Sequence, residues 1–437
     1  MAVHSQGRQP LQVTNIHIKN GRLVDPGKRV EAKQDVFVAA GKIVALGRPP
    51  AGFRSERVID ASNLVVCPGL IDLSARLREP GFEYKATLES EMQAAVAGGV
   101  TSLVCPPDTD PPLDEPGLVE MLKYRAKSLN LVHVYPLGAL TWKLGGERLT
   151  EMAVLRDAGC VAFSHADTPL PDTQVLWRAL QYAATFGIAV WLRPQDGFLA
   201  HGGVAHDGEV ATRLGLPGIP AFAETVALST ILQLVRATCT RVHLCRLSTA
   251  EGVAMAREAK KEGLPLTCDI GAHYAHLSEI DLGYFDSHCH VVPPFRSIRD
   301  RDALRAGLAD GTIDAICSDH APVDEDAKQL PFAESEPGTT GLELLLPLTL
   351  KWAGEARVAL PEALATVTSK PAAILGVQAG DLAVGKDADL CVFDPDAHVR
   401  ITADFLRSQG KNTPFIGYEL PGRVRYTLVG GQVVYEG

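Results

Sequence analysis

Four groups of residues in this chain have the chemistry and spacing to act together. His288-Cys289-His290 is its one His-x-His. On a strand end, residues two apart face the same way, so such a pair can offer two imidazole lone pairs to a single zinc ion. The plainer reading makes them two histidines lining the approach to the Pro293-Pro294 loop. His273 and His276 stand three apart and could share one helix face; as structural or pocket-lining groups they need no ligand. Asp319, in Asp319-His320-Ala321-Pro322, is a general base wherever a metal-bound water lies beside it and an ion-pair partner otherwise. Cys245 and Cys317 close two apolar runs. No histidine stands at a spacing that marks a base for either, so both read as small core residues.

Such groups need a scaffold, and 437 residues give room for one large domain and a smaller one. A hydrophobic content of 46% with 22% charged residues is ordinary for a globular protein. The net charge of −10 argues against nucleic acid and anionic membranes as partners. The first ten residues lack the apolar core of a signal peptide. The longest apolar stretch, 342–350, is broken by Pro347 and falls short of the roughly 20 residues that span a bilayer. Nine cysteines are scattered singly with no C-x-x-C pair, which argues against a disulfide framework and a structural zinc site. A reduced, cytoplasmic setting is the expectation.

The two ends of the chain share short alternating runs divided by glycine turns, at 13–18, 35–39, 42–46, 389–393 and 426–435, with a further strand-and-turn segment at 380–390. They predict one small β-sandwich assembled from both termini. Between them, apolar runs at 101–105, 132–137, 160–164, 189–193, 241–244, 266–270 and 315–318 alternate with helical stretches such as 251–261. That repetition over about 300 residues predicts a (β/α)₈ TIM barrel, whose sites sit at the C-terminal ends of its strands. A doubly wound open sheet is the competing fold, but no Gly-rich phosphate loop follows an early strand. The expected division is 1–66 and 378–437 for the two parts of the sandwich and 67–377 for the barrel.

Residues 68–81 read Pro-Gly-Leu-Ile-Asp-Leu-Ser-Ala-Arg-Leu-Arg-Glu-Pro-Gly. Later in the chain come Ala97-Gly-Gly-Val-Thr-Ser, Cys105-Pro-Pro-Asp-Thr-Asp-Pro, Leu216-Pro-Gly-Ile-Pro, Ser248-Thr, Pro293-Pro-Phe-Arg and Asp319-His-Ala-Pro. Each is weak alone. As an ordered set they resemble the dihydroorotases of the amidohydrolase superfamily over nearly the whole chain. That resemblance implies an amidohydrolase-type barrel whose active members hold a binuclear zinc centre at the barrel mouth. The family's first motif carries His-x-His where this chain has Ser74 and Arg76. Its bridging segment aligns with Phe163-Ser164-His165-Ala166-Asp167, where Asp167 meets the register only if the loop slips by one residue. Arg193 and Arg246 stand at two further ligand positions, and Asp319 alone is intact. Serine is a poor zinc ligand and a guanidinium has no lone pair to give, so no metal and no cofactor is expected. Instead an arginine should occupy the metal's space and pair with Asp319 or Asp167.

The resemblance also marks a ligand pocket of Arg78, Asp110, Arg296 and Asp319. Arg78 matches the family's carboxylate-binding arginine. Asp110 stands at an asparagine position and Val292 at another, so dihydroorotate is a poor candidate ligand. The chain is most similar to the pseudo-dihydroorotases, metal-less relatives found in some bacteria. That similarity implies a non-catalytic partner of the aspartate carbamoyltransferase catalytic chain in pyrimidine synthesis, with a homo-oligomer, as a dimer, also expected. Two alternatives stay open: an active zinc amidohydrolase with a site rebuilt around His288, His290 and Asp319, and a module that senses an anion at an arginine-lined mouth.

Overall fold

The computed structural model describes residues 14–437. Its centre is a sheet of eight parallel strands, here β1 (Leu70–Asp72), β2 (Val100–Cys105), β3 (His133–Ala139), β4 (Ala162–Ser164), β5 (Val190–Leu192), β6 (Val242–Leu244), β7 (Leu266–Gly271) and β8 (Ala315–Cys317), each paired with the next in chain order. β2 is buried at every position, as expected for a parallel strand covered on both faces. The ring closes just beyond the strands. Ala75 and His320 form a parallel bridge, in which Arg76 N donates to His320 O at 2.9 Å and His320 N to Ser74 O at 3.1 Å. This is the (β/α)₈ barrel that the alternating runs predict. The one strand outside the seven predicted runs is β1, which lies inside the Pro-Gly-Leu-Ile-Asp motif.

Helices cover the ring, and their starts are written in the sequence. Thr87 and Ser90 form a capping box at the head of Leu88–Ala97, Asp172 caps Thr173–Phe186, and Ser297 with Asp300 caps Ile298–Ala309. Each satisfies backbone N–H groups that the first helical turn leaves open. Inside the ring, Leu73, Val104, Leu137, Ala162, Trp191 and Cys317 pack into a plug, so the barrel is filled rather than hollow.

Strands from both ends build two further sheets. Ile16–Lys19, Val36–Ala39, Lys42–Leu46 and Arg57–Asp60 form one; Arg22–Asp25, Val30–Lys33, Val65–Pro68, Leu390–Arg400, Glu419–Val429 and Gln432–Glu436 form the other. Their facing side chains, including Ile18, Val38, Ile59, Leu390 and Leu428, share a single apolar core. The strand Val65–Pro68 runs across residues 66 and 67 and pairs with Leu390–Arg400. Val13 of the expected first run lies outside the described residues. The segment 380–390 is not a strand over its length: Asp387 makes one isolated bridge to Lys42, and regular pairing starts at Leu390. Among the described residues no helix is long and apolar enough to cross a membrane.

Candidate site at the barrel mouth

The turns that follow the barrel strands place the site, and buried hydrogen bonds fix those turns. After β8, Asp319 takes a left-handed φ of 49°. Asp72, at the end of β1, holds that turn by accepting from Ser318 N at 2.8 Å and from the Ser318 hydroxyl. After β6, Arg246 has φ 54°, and its N–H donates to Asp269 Oδ1 at 2.6 Å. The other oxygen of Asp269 meets His243 Nε2 at 3.0 Å, and His243 packs on Trp191 with ring centroids 4.5 Å apart. His243 is thus a buried post under the Arg246 turn. Gly81, with φ 98°, lies where a Cβ would come within 2.2 Å of Asp110 O, so only glycine lets the first and second loops close.

Six charged side chains meet at the C-terminal mouth. Arg76 donates through Nε to Asp108 Oδ2 at 2.8 Å and through Nη2 to Asp167, with Asp319 Oδ1 3.7 Å from its Nη1. Arg193 donates through Nε to Asp167 Oδ1 at 2.7 Å, through Nη2 to the Asp167 carbonyl at 2.7 Å, and through Nη1 to Gln195. Arg246 donates to Asp319 Oδ1 at 2.8 Å and to Asp167 Oδ1 at 2.5 Å. Three arginines alternate with three aspartates, and Asp167 is the hub. The arginine side chains are 4–8% exposed, and that of Asp167 is 32% exposed. Asp167 thus faces all three arginines while its own side chain stays partly open to solvent.

The electrostatics follow from this arrangement. Burial pushes the Asp167 carboxyl up, but Arg246, Arg76 and Arg193 together override it and hold the group well below the usual carboxylate range. Asp319 ends at about 6, because burial and the neighbouring Asp167 outweigh Arg246 and Arg76. Burial also opposes the charge on Arg76, yet Asp108 and Asp167 bind its proton more tightly than in a free guanidinium. His273, tilted on Tyr274 and edge-on to Phe295, lies 3.9 Å from Asp319 Oδ2. Burial, Arg246 and His276 depress it to about 3.

A cavity of about 300 Å³ opens above the cluster, lined by Arg76, Arg78, Asp167, Arg193, Asp319 and Val292 among others. Arg78 donates through Nε to Pro322 O at 2.9 Å and makes no ion pair among the described residues. Two of the expected pocket residues are elsewhere. Arg296 is buried in a structural knot, donating to Ser248 Oγ at 3.2 Å and Ile219 O at 2.5 Å. Asp110 is exposed on the loop against Gly81. Ser74 is buried beside the Asp72 turn, donating its N–H to Asp72 Oδ1 at 3.2 Å and accepting the His320 N–H at its carbonyl. His165 also turns from the cluster: Nδ1 meets Thr168 O and Nε2 meets Thr141 Oγ1, both at 2.8 Å. Asp108, two residues before Asp110, was not among the expected site residues.

This set of side chains does not fit a zinc centre. Zinc takes lone pairs from imidazole, thiolate or carboxylate; here three guanidiniums without lone pairs fill the mouth, and each carboxylate is committed to arginine. Among the described residues no three His, Cys, Asp or Glu side chains stand close enough to share a metal ion. A site built on His288, His290 and Asp319 is not assembled either. His290 Nδ1 meets Ser335 Oγ at 3.0 Å and its ring stacks on Phe332.

A (β/α)₈ barrel with a sandwich drawn from both chain ends is an amidohydrolase architecture. An amidohydrolase family model matches residues 198–434, and a dihydro-orotase-like model matches residues 63–252. A dihydroorotase-like protein of Pseudomonas aeruginosa is 46% identical over 422 residues, covering 97% of this chain and 100% of its own. A dihydroorotase of Geobacter sp. strain M21 is 40% identical over 422 residues, covering 97% and 99%. Among solved structures, the L-hydantoinase (dihydropyrimidinase) from Arthrobacter aurescens superposes with a TM-score of 0.85 at 25% identity, over 97% of this chain and 96% of that one. The chain belongs to the dihydroorotase-like amidohydrolase family.

Proposed function

We propose that this chain is a dihydroorotase-like protein without hydrolytic turnover, and that it serves as a cytoplasmic, homo-oligomeric assembly partner of the aspartate carbamoyltransferase catalytic chain. The observation that carries the first half is the Asp167 hub. Cyclic-amide hydrolysis in this family needs a metal-activated water and a free base. Arg76, Arg193 and Arg246 take the space of the metal donors, and Asp319, the remaining acid-base group, is held by Arg246 at 2.8 Å. The Val292 side chain on the cavity wall offers no hydrogen bond to a ring amide or carboxylate. The second half rests on the similarity to pseudo-dihydroorotases noted from the sequence.

The test is co-expression with the transferase catalytic chain of the same cell, followed by size exclusion with light scattering. One stable species larger than either chain, with transcarbamoylase activity dependent on this chain, is the expected result. Two separate peaks with a fully active lone transferase would overturn it. Hydrolysis of a cyclic amide is the competing reading, favoured by relatives that bear the names dihydroorotase and hydantoinase. Zinc bound in stoichiometric amount together with turnover would establish that reading in its place.

A further inference from the structure

Beside the mouth, one face of the protein combines exposed aromatic groups with a local excess of negative charge, although one of its carboxylates, Glu336, pairs with Lys85. Residues 279–291 and 322–338 hold eight carboxylates and a single lysine, against a net charge of −10 for the whole chain. The two segments are one surface. Lys328 Nζ donates to Ser287 O at 2.9 Å and to His290 O at 3.1 Å, and Gly338 N donates to His290 O at 2.9 Å. Lys328 is only 6% exposed, so its ammonium is spent on those carbonyls and the face shown to solvent is acidic.

Tyr284 stands at the crest of this face, 97% exposed. Gly283 and Phe285 on either side have φ of 51° and 61°. Left-handed backbone is costly at phenylalanine, and it turns Tyr284 outward. Ile280, Phe285, Leu330, Ile416 and Tyr418 are each 41–57% exposed. Burial pushes the Tyr418 phenol up, and the Asp281 and Asp286 charges add to that rise. Aromatic anchors ringed by one sign of charge are the make-up of a protein interface with an oppositely charged partner.

We infer that this acidic aromatic face docks a partner protein through a lysine- or arginine-rich surface that receives Tyr284. The occupant follows from charge. A second copy meeting the same face across a two-fold axis would set like charges together, and nucleic acid and anionic membranes are repelled. Glu336, Pro337 and Gly338 join this face to the rim of the mouth cavity, so a docked partner covers the mouth as well. The inference deepens the assembly reading and rests on it.

The experiment measures binding of the full chain to the transferase catalytic chain by surface plasmon resonance at two salt concentrations. Glu325, Asp326 and Glu334 are exposed, and their carboxylates bond to nothing in the fold among the described residues. The triple variant Glu325→Lys, Asp326→Lys, Glu334→Lys is expected to slow association about tenfold at low salt, with the effect fading as salt is raised. Tyr284→Ala is expected to weaken binding about tenfold or more. Tyr124→Ala, at a 75% exposed tyrosine on the outer helix Pro116–Leu129, should bind as wild type, and melting temperatures confirm that all variants fold. Wild-type binding by the Tyr284 and charge variants overturns the docking face and leaves the assembly reading standing. No binding by the unaltered chain overturns both. A homodimer of the lone chain that Tyr284→Ala dissolves would make a second copy the occupant and overturn the cationic partner.

Discussion

Asp167→Asn is the sharpest perturbation of the mouth, because it keeps the shape of the hub and removes its charge. Arg76 would keep Asp108 at 2.8 Å and Asp319 at 3.7 Å, and Arg246 would keep Asp319 at 2.8 Å. Arg193 would keep no carboxylate, only the Asn carbonyl and Gln195, although its side chain is 4% exposed. One buried guanidinium is left without a counter-charge. Removing one partner of a buried pair costs about 3–5 kcal/mol. Since the hub side chain is 32% exposed, solvent screens part of that loss, and about 2–4 kcal/mol at pH 7 is expected in urea melts. Asp108→Asn, which removes one contact from an arginine that keeps two others, should cost about 1 kcal/mol. The sign with pH is also fixed. The folded pKa of Asp167 lies below its unfolded value, so its contribution is complete above about pH 4 and shrinks as pH falls further. The gap between wild type and Asp167→Asn should therefore narrow below pH 4. A loss under about 0.5 kcal/mol at pH 7, or equal losses for the two variants, would refute the hub.

His273 gives a second pH dependence. Its folded pKa of about 3 lies below the ordinary 6.5, so its stability contribution is whole above pH 6.5 and is lost on the way down. Between pH 7 and 5 wild type should lose about 2 kcal/mol relative to His273→Gln in paired melts, and parallel curves would contradict this. Glu91, fully buried, accepts from Ser408 Oγ at 2.7 Å and Gln409 N at 3.0 Å and pairs with His320. Glu91→Ala should cost about 3–5 kcal/mol, and a near-neutral result would show that the C-terminal segment is not anchored there. Restoring the family's pair by Ser74→His with Arg76→His should not create a zinc site, because Arg193 and Arg246 remain. Tight zinc uptake by that variant in a calorimeter would show the two arginines to be no obstacle.

Much of the fold was legible because it rests on period and punctuation. Buried strands such as Val100–Cys105 are continuous apolar runs, and capping residues such as Thr87 and Ser297 mark helix starts. The ion pairing was legible too: Arg76 and Arg246 do meet Asp167 and Asp319, as arginines beside retained aspartates announce. Which carboxylates answer them was not. Asp108 and Asp110 lie two apart in an irregular loop, and nothing local says which one faces Arg76. Asp167 follows β4 in an irregular turn, and only the packed loop shows that it meets all three arginines. Arg296 looked like a pocket residue because its neighbours do, but its partner Ile219 stands far away in sequence. His165 likewise is claimed by Thr141, which lies on a different loop. Pairings across the barrel are set by tertiary approach, and a single sequence does not display that.

The most direct test of the whole account is a dihydroorotate turnover assay on the purified chain in zinc-supplemented buffer. The arginine-filled mouth predicts no ring opening or closure above the uncatalysed rate at any protein concentration. Turnover that rises in proportion to the protein and is abolished by Asp319→Asn would contradict it.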